Sequence, residues 1–193
     1  MSLNSESLVG QDAVLRAQLA DYARRHPEHA GLADEFSTLL DDVENPFLRS
    51  RLAGHFTGSA WLVSADGERI LLTHHRKLGR WLQLGGHADG ERDLARVALT
   101  EAKEESGLDG LVLEDGVLFD LDKHWIPERM DVPGHWHYDA RYVVRALGSE
   151  AFVVSEESLA LAWRPVAEVA AEAVETPDGD PSLPRMAKRW LNR

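Results

Sequence analysis

The chain contains no cysteine. That removes disulfides, thiolate metal sites and a cysteine nucleophile together, and it fits a reducing cytoplasm. Long apolar runs are missing as well: nothing approaches the roughly 18 residues of a membrane span. The opening MSLNSES has neither the basic nor the apolar region of a signal peptide, so a cytoplasmic protein is expected. Positive charge is scarce. Twenty-one Lys and Arg against thirty-three Asp and Glu leave a net charge of −12. Such a surface repels polyanions, which disfavours nucleic acid and anionic membranes as partners. A small phosphorylated ligand remains compatible if a cation bridges it to the protein. Internal repeats and low-complexity tracts are absent too.

What is present suits a globular fold. At 193 residues, 44% hydrophobic and 28% charged, the chain fits one domain with an added helical piece. Residues 10–25 have helical periodicity, with Leu15, Leu19 and Tyr22 on one side. A second helix is expected over about 29–43, carrying Leu32, Phe36, Leu39 and Leu40. Asn45 reads as an N-cap, Pro46 as N1 and Gly54 as C′, which predicts a short third helix. At His55 the period becomes strand-like. HFTGSAWLVS and RILLTHH form a hairpin about Asp66-Gly67. WLQL is a short strand leading into glycines. LVLEDGVLFDLDKHWI and HWHYDARYVVRAL are further strands, with PERMDVPG as the loop between them. LALAWRP is the last strand. Pro165 starts a helix through about Val174, ETPDGDP is a linker, and residues 182–192 form a closing helix. Helices flanking a mostly antiparallel or mixed sheet define an α+β or αβα architecture.

The stretch GGHADGERDLARVALTEAKEESGL, Gly85–Leu108, carries the chemistry. It turns through Asp89-Gly90, runs as a helix and stops at Gly107. Glu101, Glu104 and Glu105 stand at i, i+3 and i+4, within about a third of the circumference. Beside them lies an apolar stripe of Leu94, Ala95, Ala98, Leu99 and Ala102. Clustered like charges near the negative end of a helix dipole are unfavourable unless a cation offsets them. Mg²⁺ takes hard oxygen ligands and suits such a set. Gly85 and Gly86, lacking a Cβ, let backbone approach closely. Taken alone, the helix also fits a solvated face with Arg96 and Lys103 as local partners.

The whole string resembles the Nudix box, Gly-x5-Glu-x7-Arg-Glu-U-x-Glu-Glu-x-Gly-U, where U is a bulky apolar residue. Glu101 matches the glutamate after the arginine, Glu104 and Glu105 the glutamate pair, Gly107 the late glycine, Leu108 the final apolar position and Gly86 the first glycine. The match covers 23 residues, and the strand–box–strand order over about 55–175 agrees with a Nudix domain. NPF, RWLQLGGHADG and HWHYDARY are similar to a bacterial Nudix subgroup with a GGHADG-type box. Two positions depart: Arg92 replaces an early glutamate, with Glu91 beside it, and Thr100 replaces the arginine. In the family that arginine orients a ligand carboxylate; Arg96, one turn earlier, is a candidate substitute.

The resemblance implies a Nudix-type αβα sandwich over 55–193, with residues 1–54 as an N-terminal helical extension. It also implies an Mg²⁺- or Mn²⁺-dependent pyrophosphohydrolase that cleaves a diphosphate, usually a nucleoside diphosphate, from another moiety. The metal ligands would be Glu101, Glu104, Glu105 and the Gly86 carbonyl. The general base would be a box glutamate, Glu104 or Glu105, or a downstream one, Glu156 or Glu157.

Seven of the nine histidines fall between positions 55 and 137. Period two puts His135, His137, Asp139 and Arg141 on one strand face and Tyr138, Ala140, Tyr142 and Val144 on the other. The polar face reads as a substrate pocket in which Arg141 meets phosphate or carboxylate and the histidines hydrogen-bond substrate, joined by His87 and His124. Cross-strand hydrogen bonding and a histidine-based transition-metal site are the alternatives. Trp81, Trp125 and Trp136 are candidates to stack on a base. Other functional readings are a nucleotide-binding module or weakened enzyme, suggested by Arg92 and Thr100, and an isomerase of the isopentenyl diphosphate type. The missing cysteine speaks against the isomerase. The N-terminal helices could cover the pocket or build a homodimer.

Overall fold

The computed structural model describes residues 5–129, 132–156, 158–172 and 181–193, with side chains from Gly10 onward. Its helices are α1 (Ser5–Arg25), α2 (Ala30–Leu40), α3 (Leu94–Ser106), α4 (Val166–Ala171) and α5 (Ser182–Leu191). A 3₁₀ turn, Pro27–His29, links α1 to α2. The strands are β1 (Gly54–Val63), β2 (Arg69–His75), β3 (Arg80–Leu82), β4 (Leu84–His87), β5 (Leu111–Ile126), β6 (His135–Ala146) and β7 (Ser158–Pro165). None of the described helices is long and apolar enough to cross a membrane.

All seven strands join one mixed sheet in the order β3-β2-β1-β6-β5. β4 adds to β1 and β7 to β2. The β1–β2 turn is built as its sequence requires. Gly67 sits at φ +77, and the Asp66 carboxylate accepts from the Glu68 N–H at 2.9 Å. β1 is the hub. It runs parallel to β6, with His55 opposite His137 and Ser59 opposite Arg141, and antiparallel to β4, with Gly58 opposite Gly86. WLQL therefore makes two strands rather than one. β3 pairs with β2 and β4 with β1, and the chain changes partner at Gln83.

The sheet has two unlike faces. One carries Phe56, Ala60, Leu62, Ala140, Tyr142 and Val144 and is covered by α1, α2 and α3. The buried stripes of the first two helices (Leu15, Leu19, Tyr22; Ala33, Phe36, Leu39, Leu40) pack into that core. At about 1.5–3 kcal/mol per large buried side chain, this docking is a major stabilising contribution. Both amphipathic faces of the N-terminal helices are thus used within the chain. On the other face Trp61, Val63, Val143 and Phe119 are covered by α4 and α5 through Val166, Val169, Leu183 and Met186. Only the later half of β1 and β6 is apolar on that side. The earlier half is polar.

The expected third helix between Asn45 and Gly54 does not form; the segment is a series of turns. Asn45 does cap, its side chain accepting from the Phe47 N–H at 3.0 Å. The helix fails to propagate because long-range donors take its carbonyls. Phe56 N–H binds Pro46 O, and Gly90 N–H binds Phe47 O, both at 2.8 Å. Gly54 is extended at φ +145 rather than a helix C′ residue, and a Cβ there would meet the Trp136 carbonyl at 2.8 Å. Helix α2 stops three residues short of its expected end, at Leu40; α4 runs to Ala171, and residues 173–174 of its expected range lie outside the described residues. Most of the ETPDGDP linker lies outside the described residues.

Candidate active site

Helix α3 begins at Asp93, whose side chain accepts from the Arg96 N–H, and ends at Gly107 in the left-handed region, φ +64. Leu94, Ala95, Val97, Ala98 and Ala102 are buried against the sheet, so the helix can sit in one rotation only. That rotation turns the Glu101 and Glu105 carboxylates toward β4. Glu105 is buried, and its Oε1 accepts from the Gly85 N–H at 2.8 Å. The Glu101 carboxylate lies against Gly86: a Cβ on that glycine would stand 2.5 Å from its carboxyl carbon. A Cβ on Gly58, opposite Gly86, would meet the Leu94 carbonyl at 2.8 Å. Glycine at 58 and 86 is therefore a condition for helix and strand to approach this closely. Glu104 is exposed. The result is a set of hard oxygen donors beside a bare backbone, which fits a magnesium-type ion.

The second part of the site is the polar half of the other sheet face. His55, Thr57 and Ser59 of β1 align with His137, Asp139 and Arg141 of β6. Beyond β6, His124, Asp122 and Asp120 of β5 pair with the same three residues in turn. His87 of β4 lies opposite Thr57. The structure thus groups His87, His124, His135 and His137, and it adds His55. Ring centroids of His55 lie 5.0–5.1 Å from those of His87, His135 and His137, and His124 is 5.4 Å from His137. Burial pushes the His87 imidazolium down to about 4, helped by Arg49 and His55. His137 is pushed down to about 2 by burial and then by His124, His87, His55 and His135. Both rings are neutral in the physiological range.

Arg141 requires a correction. Its guanidinium is buried and meets protein carboxylates rather than solvent: Asp139 at 2.7 Å, Asp120 at 3.2 Å and Asp122 at 3.3 Å. Arg185 and Arg189 of α5 also bind Asp120, at 2.6 and 2.5 Å. Asp139 is equally engaged, accepting from Thr57 and Ser59 hydroxyls at 2.8 Å each. Burial would raise the Asp122 carboxyl, but Arg141, the His124 hydrogen bond and Arg185 hold it below the ordinary carboxylate range. These residues form the wall behind the histidines. A guanidinium desolvated among three carboxylates is not available to substrate.

Of the two departures from the box, Arg92 has a structural explanation and Thr100 has none. Arg92 pairs with Asp12 of α1 and stacks over Phe47 at 4.7 Å, so it ties the N-terminal helix to the box loop. Thr100 is exposed. Arg96 does not replace the missing arginine; its guanidinium lies 3.6 Å from Glu91, on the solvent side. Glu156 is exposed in the segment before β7. That segment passes the C-terminal end of α3, where the Val153 N–H binds Ser106 O at 2.7 Å. Glu157 lies outside the described residues. Trp81 stacks on His74 with centroids 5.2 Å apart, and Trp125 and Trp136 form an edge-to-face pair at the end of the β5–β6 hairpin. Sequence reading passed over His55, Thr57 and Ser59. Their period-two spacing was visible, but the parallel pairing that sets them beside β6 was not.

The NUDIX domain family model matches residues 55–186, and the chain belongs to that family. It is accordingly a hydrolase acting on pyrophosphate bonds. Solved structures of similar fold include a MutT protein from Methanosarcina mazei Go1, at 15% identity and TM-score 0.54, with 78% of this chain and 97% of that one covered. The E. coli dihydroneopterin triphosphate pyrophosphohydrolase is 16% identical at TM-score 0.53, with 72% and 96% covered. An Ap4A hydrolase from C. elegans is 13% identical at TM-score 0.52, with 71% and 95% covered. No curated protein matches the sequence significantly.

Proposed function

We propose that this protein is a Mg²⁺- or Mn²⁺-dependent pyrophosphohydrolase that cleaves a nucleoside-diphosphate-type substrate by attack of water on phosphorus. The observation that carries this reading is the contact of the Glu101 carboxylate with Gly86, beside Glu105 hydrogen-bonded to the Gly85 N–H. Glu101, Glu104, Glu105 and the Gly86 carbonyl would hold the ion. When bound, it supplies Lewis acidity toward phosphate oxygens and toward water. The chain's own residues position that chemistry. Glu105 fixes the glycine strand against α3, and Glu101 stands at the strand's bare backbone. A base for the attacking water comes from Glu104, Glu105, Glu156 or Glu157. Of these, exposed Glu104 has its carboxylate open to solvent, whereas Glu105 is occupied at Gly85. Substrate contacts come from His87, His124, His135 and His137, hydrogen-bonding groups on the polar half of that sheet face. The buried Asp139–Arg141 pair holds that face in place. The acidic surface favours a small substrate over a polynucleotide.

Two of the structural neighbours are named for different substrates, dihydroneopterin triphosphate and Ap4A, so the leaving group is to be found by assay. A panel of nucleoside di- and triphosphates, ADP-ribose, dinucleoside polyphosphates and isoprenoid diphosphates is incubated with Mg²⁺ or Mn²⁺, and released phosphate or nucleotide is measured. Turnover of at least one diphosphate-linked nucleoside, abolished by EDTA, is expected. Tight nucleotide binding without turnover would instead favour a binding module. The exposed Thr100 and the outward Arg96 favour that second reading, since neither supplies the family's arginine.

A further inference from the structure

The histidine cluster has a construction that substrate hydrogen bonding does not require. His55, His135 and His137 each place a ring nitrogen within 4.8 Å of the others. His55 is only 2% exposed, yet its Nε2 has no hydrogen-bond partner among the described residues. Its Nδ1 is 3.2 Å from the Arg51 carbonyl, which requires that nitrogen to carry the proton and leaves a lone pair on Nε2. His135 repeats the arrangement, with Nδ1 2.8 Å from Pro133 O. Its Nε2 then faces the His137 Nε2 at 3.2 Å. His124, at the edge of the group, sets Nδ1 2.9 Å from the Asp122 carboxylate. A backbone carbonyl or carboxylate behind the imidazoles of His55, His135 and His124 is the arrangement that orients metal-ligating histidines.

We propose that His55, His135 and His137 form a binding site for a borderline divalent transition-metal ion of the zinc type, separate from the glutamate site. Three imidazole nitrogens with no carboxylate among them select zinc-like ions over Mg²⁺. Nitrogens about 2.0–2.1 Å from a tetrahedral zinc lie roughly 3.4 Å apart. The His135–His137 separation already meets that, and His55 has a small distance to close. Three protein ligands leave a fourth position for solvent or a phosphate oxygen, with His87 alongside.

The test uses the untagged full chain, stripped with chelator and titrated with Zn²⁺ by calorimetry, with bound metal counted by mass spectrometry. One zinc per chain is expected. His55→Gln and His137→Gln should each weaken binding at least tenfold, while His74→Gln and the double variant Glu101→Gln/Glu104→Gln leave it unchanged. Zinc anomalous scattering from wild-type crystals should place the ion among the three rings, which guards against a variant that fails to fold. Loss of zinc in the glutamate variant alone, an anomalous peak only at the glutamates, or the absence of stoichiometric zinc would overturn the proposal. Phosphate release does not enter this readout, so failure of the glutamate site and failure of the histidine site are distinguishable.

Discussion

At the scale of single residues, glycine decides whether the carboxylates can work. Gly86 leaves room that the Glu101 carboxylate fills. Gly86→Ala would therefore force Glu101 away or push β4 off α3. The expected result is a loss of turnover of roughly 10–100-fold, the range seen when groups that orient metal ligands are altered. Steady-state kinetics across a Mg²⁺ titration would read it. Normal rate and normal metal dependence would show that the contact has no functional weight. The glycines, the glutamate spacing and the cap residues of α3 were all legible in the sequence, because each follows from local backbone geometry. The occupancy of Arg141 was not. Its neighbours Asp120 and Asp122 lie about twenty residues upstream, and only the β5–β6 register brings them under its guanidinium.

At the scale of elements, nearly every strand could be read from period-two patterning and turn residues. The misreading fell between Asn45 and Gly54. Asn-Pro is a sound local start for a helix, yet tertiary donors claimed the carbonyls of Pro46 and Phe47. Arg92 shows the same kind of nonlocal use. A position that departs from the family pattern ties α1 to the box through Asp12 and Phe47. Arg92→Ala should cost about 1–2 kcal/mol, as loss of a half-buried ion pair together with a cation–π contact. A thermal midpoint lower by a few degrees, with faster amide exchange in α1, is the expected outcome. An unchanged midpoint would mean that the contact is dispensable.

At the scale of the whole molecule, the N-terminal helices and α5 meet around a titratable joint. His26 and His29 lie between α1 and α2. Burial lowers the pKa of each from the ordinary 6.5, followed by Arg189 for His26 and Arg185 for His29. A lowered histidine is protonated more readily in the unfolded chain. Its contribution is therefore intact above about pH 6.5 and is lost as pH falls below that value. The thermal midpoint should fall from pH 6.5 toward pH 5, and less steeply in His26→Gln/His29→Gln. Equal slopes in the two proteins would refute this coupling. The mixed sheet between helical layers was predictable from the element order, whereas its division into an apolar and a polar half was not. That division depends on β1 running parallel to β6, a pairing between segments about eighty residues apart.

The most direct test of the central claim is the turnover of Glu104→Gln on the best substrate at saturating Mn²⁺, measured beside its thermal midpoint. Glu104 is exposed, so the fold should be unaffected and the midpoint unchanged. We predict a fall in kcat of at least about 100-fold, the scale of losing a group that acts in acid–base or metal catalysis. Hydrolysis at the wild-type rate by this variant would contradict the assignment of the glutamate cluster as the catalytic centre.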